Sequence, residues 1–130
     1  MPIRYFTSIG HLSPAPFVEI MAFHTSGYQH PIQMMIDTGA SRTTLPIQFL
    51  EKSLNALKIK SISCLNCDNE RKEYPLYVIN LVIDGNTFHN QEIIGTQNQR
   101  FGLLGRDLLQ NFVFYYYGRE QRFLLEYQVS

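Results

Sequence analysis

The sequence predicts an all-β fold, a small closed barrel with one or two short helices, and three observations lead there. Aromatic and β-branched residues recur in short runs broken by Gly, Pro and Asn. Asp84-Gly85 lies between two such runs, and an Asp-Gly pair is the strong signal for a tight hairpin turn. One segment, 46–57, departs from this rhythm and has the spacing of a helix instead.

Strands are expected at 4–8, 17–23, 32–36, 59–64, 74–83, 88–94, 112–117 and 123–127. Within 46–57, Ile47, Leu50, Leu54 and Leu57 fall on one helical face, and Pro46 suits a first turn, where its missing N–H is not needed. A second, shorter helix is expected from Arg106, carrying Leu108 and Leu109. Gly118-Arg119-Glu120-Gln121 reads as the turn of a C-terminal hairpin. The aromatic run 112–117, FVFYYY, has no basic patch around it, so it reads as a strand rather than a base-stacking surface. The terminal runs 4–8 and 123–127 would be exposed edges in so small a domain, and they are candidates to pair with a second copy of the chain.

The length of 130 residues suits one domain, 1–130. With 45% apolar and 17% charged residues, there is material for a core and little tendency to disorder. Acidic and basic side chains balance at 11 each, which gives no broad field for nucleic acid or an anionic membrane, and neither partner is expected. The start, MPIRYFTSIGHLSPAP, lacks the apolar core of a signal peptide, and no apolar run approaches bilayer length. A cytoplasmic location is the expectation. Cys64 and Cys67 are too few for a disulfide framework and form half a zinc site with no His at a fitting spacing. Two unlinked thiols are expected, with no metal and no cofactor.

The chemistry is carried by Met34-Met35-Ile36-Asp37-Thr38-Gly39-Ala40-Ser41, which places an acid directly after an apolar strand. A carboxylate there is costly unless hydrogen-bonded or paired. Thr38 adds a hydroxyl, Gly39 lets its amide approach the acid, and Ala40 keeps the surroundings small. Alone, Asp-Thr-Gly is also commonplace turn chemistry. A second segment, Leu103-Leu104-Gly105-Arg106-Asp107-Leu108-Leu109, follows well downstream.

Together the two segments resemble the retropepsin family, the retroviral-type aspartic proteases and their cellular and bacterial relatives. The order and separation of the motifs match, and the resemblance covers nearly the whole chain. It implies a barrel of the retropepsin, or acid protease, type and an aspartic endopeptidase with Asp37 as catalytic carboxylate. Thr38, Gly39 and Ala40 would support that acid, and Gly105, Arg106 and Asp107 would be structural. Phe101, Leu103 and Leu65 would line the peptide subsites.

Two carboxylates must share one proton for this chemistry, because like charges at close range push their titrations apart; aspartic proteases are the known case. Asp68, Asp84 and Asp107 lie in no second Asp-Thr-Gly context, so one chain offers one catalytic acid. A homodimer is therefore expected, with Asp37 of each copy at the two-fold axis and a peptide or protein as substrate.

Two departures from the family are visible. Retroviral enzymes carry acids in the two positions after Ala40, where this chain has Ser41-Arg42. The Arg of Gly-Arg-Asp often pairs with one of those acids, so Arg106 must find a partner near Asp107 or on the second copy. The covering hairpin, or flap, is expected between about 58 and 83, with its tip within 64–73. That tip reads CLNCDNERKE, polar and without Gly. It must bend at Asn66, Asp68 and Asn69, or be looser than a retroviral flap. The alternative function is therefore a retropepsin-fold module that dimerises or binds and cuts weakly or not at all.

Overall fold

Strand alternation sets the core. In β2 (Phe17–Phe23), Val18, Ile20 and Ala22 turn inward while Glu19 faces solvent, the two-residue period of a half-buried strand. In β3 (His30–Ile36), Met34 and Ile36 enter the same core. The structure, a computed structural model, describes residues 3–25, 28–65, 68–97 and 100–129. Its remaining elements are β1 (Arg4–Tyr5), β4 (Thr44–Pro46), β5 (Lys60–Leu65), β6 (Arg71–Ile83), β7 (Asn86–Thr96), β8 (Gly102–Leu104), α1 (Arg106–Leu109), β9 (Phe112–Tyr117) and β10 (Arg122–Tyr127).

Pairing runs β2-β3-β8-β4-β7-β6, and β6 returns to β2, so six strands close into a barrel. Closure removes the exposed edges that an open sheet would present. β5 hangs on β6 outside the ring. The hairpin of β6 and β7 turns at Asp84 and Gly85, with φ of 52° and 77°, the left-handed pair that a two-residue turn requires. The expected all-β closed barrel is therefore what forms.

Two strands escape the sequence pattern. Thr44–Pro46 and Gly102–Leu104 are three residues each, too short for alternation to register. The expected helix over 46–57 is only partly present. A π-helical turn spans Phe49–Ser53, burying Leu50, with Leu54 buried at its end. Asn55, at φ 57°, is a left-handed stop, and the Ala56 N–H donates to the Leu50 carbonyl at 2.9 Å. Leu57 lies beyond that stop and is 74% exposed, so it does not share the buried face assigned to it. The shorter helix at Arg106 forms as expected, with Leu108 and Leu109 buried.

The terminal strands do not wait for a second copy. β1 pairs with β10 (Arg4 opposite Phe123, Tyr5 opposite Arg122), and β10 pairs on its other side with β9. The turn at Gly118–Gln121, closed by the Gln121 N–H to the Gly118 carbonyl, folds β10 back along β9. Phe6 then packs on Tyr116 and Phe123, at ring distances of 5.5 and 6.3 Å, and pins β1 in place. The inner face of this sheet, with Phe112, Phe123 and Leu125, joins the same apolar cluster as the barrel.

Candidate active site

β3 ends where its apolar alternation ends, and Asp37 follows Ile36 at the barrel's rim, half-buried. The Asp37 N–H donates to the Leu104 carbonyl at 3.0 Å, extending the parallel pairing of β3 with β8 by one bond. The chain then turns, with the Ala40 N–H donating to the Asp37 carbonyl at 3.2 Å. Within this turn the Gly39 N–H donates to Asp37 Oδ1 at 3.0 Å. This bond fixes the carboxylate's direction. A Cβ at residue 39 would stand 3.2 Å from the same Oδ1, so Gly leaves this approach open. Thr38 is exposed, and among the described residues its side chain has no hydrogen-bond partner.

The second motif wraps the first. The Arg106 N–H donates to the Ala40 carbonyl at 2.8 Å, and Arg106 Nη1 donates to the Thr38 carbonyl at 2.8 Å. Arg106 thus finds its partner within its own chain, on the backbone beside Asp37. The sequence expectation placed that partner near Asp107 or on a second copy. A retroviral-type acid is missing after Ala40, and a carbonyl oxygen takes its place. Gly105 makes the wrap possible, since a Cβ there would lie 2.6 Å from the Arg42 carbonyl carbon and 2.7 Å from its oxygen.

Beneath the loop lies a buried polar knot. Thr43 is 0% exposed. Its hydroxyl donates to Asp107 Oδ1 at 2.6 Å and accepts from the Gly105 N–H at 3.1 Å. Its own N–H donates to Asp107 Oδ2 at 3.0 Å, and the Leu108 N–H donates to Asp107 Oδ1 at 2.9 Å. Buried polar groups with every partner in place rigidify their surroundings. Asp107 accepts three of these N–H and O–H bonds. Thr43 was not singled out from the sequence, because a Thr following Ser41-Arg42 carries no sign of burial.

The loop faces the hairpin of β5 and β6 across a cleft of about 270 Å³. Gly39, Ala40 and Arg42 form one wall, and Leu65 and Tyr74 the other. Leu65 was expected to line the peptide subsites, and it does line this cleft. Phe101 and Leu103 do not line it within one chain. Phe101 sets its ring edge-on to Phe17 at 5.0 Å, and the Leu103 N–H donates to Thr44 Oγ1 at 3.3 Å. A larger hollow, about 610 Å³, lies by Pro46, Glu51 and Arg100, away from the Asp37 turn.

The hairpin tip bends at Asn69, φ 63°, one of the residues expected to turn it. Asn66 and Cys67 lie outside the described residues, and Cys64 is a half-buried free thiol in the cleft wall. No cluster of metal-ligating side chains occurs among the described residues. Below the hairpin, the Tyr77 hydroxyl donates to Glu51 Oε2 at 2.6 Å, tying β6 to the helical turn. Burial first, and then this bond to a carboxylate, push the Tyr77 phenol far above its ordinary ionisation range.

This fold has known counterparts. The EIAV protease in complex with the inhibitor HBY-793 superposes with a TM-score of 0.56 at 17% identity, covering 79% of this chain and 92% of that one. A retropepsin-like aspartic protease from Rickettsia conorii superposes with a TM-score of 0.53 at 23% identity, covering 86% of this chain and 92% of that one. No protein-family profile matches the sequence, and no curated protein matches it. The chain has the retropepsin fold.

Proposed function

We propose that this chain, as one domain over 1–130, is an aspartic endopeptidase that works as a homodimer. The observation that carries the reading is the Asp37 turn. An acid at a strand end is held by the Gly39 amide at 3.0 Å and wrapped by Gly105-Arg106, in a fold shared with aspartic proteases. Aligned, satisfied backbone around an acid is how a protein fixes a reacting group.

Each copy gives one Asp37 to the shared pair. One carboxylate takes a proton from a bound water, which attacks the peptide carbonyl. The other, protonated, gives its proton to the carbonyl oxygen and recovers it as the diol collapses, while the first passes the water's proton to the leaving amine. The Thr38 hydroxyl, without a partner among the described residues, would bond the other copy's backbone, and Gly39 would meet the peptide backbone. Leu65, Phe101 and Leu103 contribute apolar subsites, the last two from the position they would take beside a second copy. The outer edges of β1 and β9, with the exposed Tyr5 and Tyr116, are the sheet surface offered to that copy. Among the described residues, no helix is long and apolar enough to cross a membrane.

Digestion of a peptide library at acidic and neutral pH tests the reading. Cleavage by the wild type and none by Asp37→Asn is the expected result; equal cleavage by both sinks the catalytic assignment. Sedimentation tests the dimer separately, since a strictly monomeric chain with full activity contradicts a shared site.

A further inference from the structure

We infer that Arg42 makes the cleft selective for a peptide bearing an acidic side chain. The inference rests on the peptidase reading and names the substrate class of that site. Among the described residues lining the cleft, Arg42 is the charged one; its neighbours there include Leu65, Tyr74, Ile94 and Thr96. A charge in an otherwise neutral wall decides which side chains settle against it.

The position of the guanidinium follows from strand geometry. Successive side chains of β7 alternate faces, so Glu92, Ile94 and Thr96 share one. Ile94 and Thr96 form the cleft wall, which puts Glu92 at the end of that wall. Arg42 Nη2 reaches Glu92 Oε1 at 3.4 Å. The guanidinium therefore lies on the cleft's side of β7.

This pairing leaves Arg42 available. It is one long contact between side chains that are 40% and 54% exposed, and such pairs hold weakly. A guanidinium presents five N–H donors in a planar fork that matches a carboxylate two-pronged. Glu92 occupies one prong and orients the rest. A bound peptide that covers Arg42 with apolar or cationic groups removes its water and returns nothing. A Glu or Asp side chain restores the lost interactions.

The test separates binding from cleavage. Labelled peptides identical except for Glu, Gln or Lys, scanned along their length, are titrated against the Asp37→Asn protein by fluorescence anisotropy. The wild type is assayed for cleavage of the same set. Glu at one position is expected to bind roughly five-fold tighter than Gln, the upper range for a solvent-exposed charge pair. Arg42→Ala should erase the difference, Arg42→Glu should turn it toward Lys, and Glu92→Gln should enlarge it.

Equal binding of Glu and Gln peptides at every position overturns the inference. So does a preference that survives Arg42→Ala, or failure of every peptide to bind. A Lys preference lost in Glu92→Gln assigns the selectivity to Glu92 and overturns it too. Should Arg42→Ala not fold, Arg42→Glu and Glu92→Gln still decide. An acidic binding preference without wild-type cleavage removes the peptidase reading and leaves Arg42's role standing.

Discussion

The two walls of the cleft are built differently. The Asp37 wall is tied down by the part-buried Thr43–Asp107 knot, the close approach of Gly105 and the exposed Arg106 bond to the Thr38 carbonyl. The hairpin wall is β5 laid on β6, and every residue of β5 is exposed or half-exposed. One wall is embedded in the barrel, while the other is an appendage held by a single ladder. Stability should therefore respond to the first wall, and closure over a ligand to the second.

The sharpest way to break this contrast is a pair of substitutions of the same kind. Gly105→Val sets a side chain against the Arg42 carbonyl, a backbone group that cannot swing aside. It should cost about 3 kcal/mol, the upper range for overpacking. Ser63→Val, on exposed β5, should change stability by less than about 0.5 kcal/mol. Urea midpoints of the two variants check this. Comparable losses would mean that the hairpin belongs to the barrel's cooperative core.

Thr43→Val is next in size. The shape is kept, but Asp107 loses its 2.6 Å donor and the Gly105 N–H loses its acceptor in a fully buried place. About 2 kcal/mol should be lost, since a buried group left unpaired carries its desolvation cost. A double-mutant cycle with Asp107→Ala should show strong coupling, because both changes dismantle one network. Any cleavage activity should fall with it, as the knot holds the loop that carries Asp37.

How much of this was legible differs between the same regions. Phe17–Phe23 of the barrel was readable because burial on one face imposes alternation, and it forms at the bounds expected, as does the aromatic run Phe112–Tyr117 of the three-stranded sheet. Asp37, Gly105 and Asp107 stand out in the sequence as members of two short motifs, and the fold brings those motifs together. Thr43 was not, since its burial depends on a segment 64 residues away in sequence. The pairing of β1 with β10 was missed for a related reason. Edge strands look alike in sequence whether their partner is the other terminus or another copy. The helix over 46–57 was overextended because apolar spacing continues past Asn55, while the left-handed stop is a backbone property.

Tyr77 ties β6 to the helical turn, and its pH behaviour measures the tie. The folded state favours the neutral phenol and raises its ionisation well above the ordinary value of 10.0. The unfolded chain loses that proton near the ordinary value. Tyr77's contribution is therefore complete below that value and declines as pH rises beyond it toward the folded one. Tyr77→Phe removes the bond to Glu51 and should cost about 1 kcal/mol at neutral pH. It also removes this decline. The stability curves of wild type and variant should converge in alkali, which denaturant melts across that range would read.

The smallest effect belongs to the hairpin tip. Asn69 adopts φ 63°, a conformation that Asn tolerates and Ala resists. Asn69→Ala should open the tip by under about 1 kcal/mol, and Asn69→Gly should relieve that strain. Neither should move the urea midpoint noticeably, because Asp68, Asn69 and Glu70 at the tip are exposed. Amide exchange is the readout that resolves them. In Asn69→Ala the β5 amides should exchange a few-fold faster, while the Asp37 amide, bonded to Leu104, keeps its protection. If the Asp37 amide accelerates with them, the covering hairpin and the acid-bearing loop open as one unit. The two walls would then differ in exposure but not in mechanics.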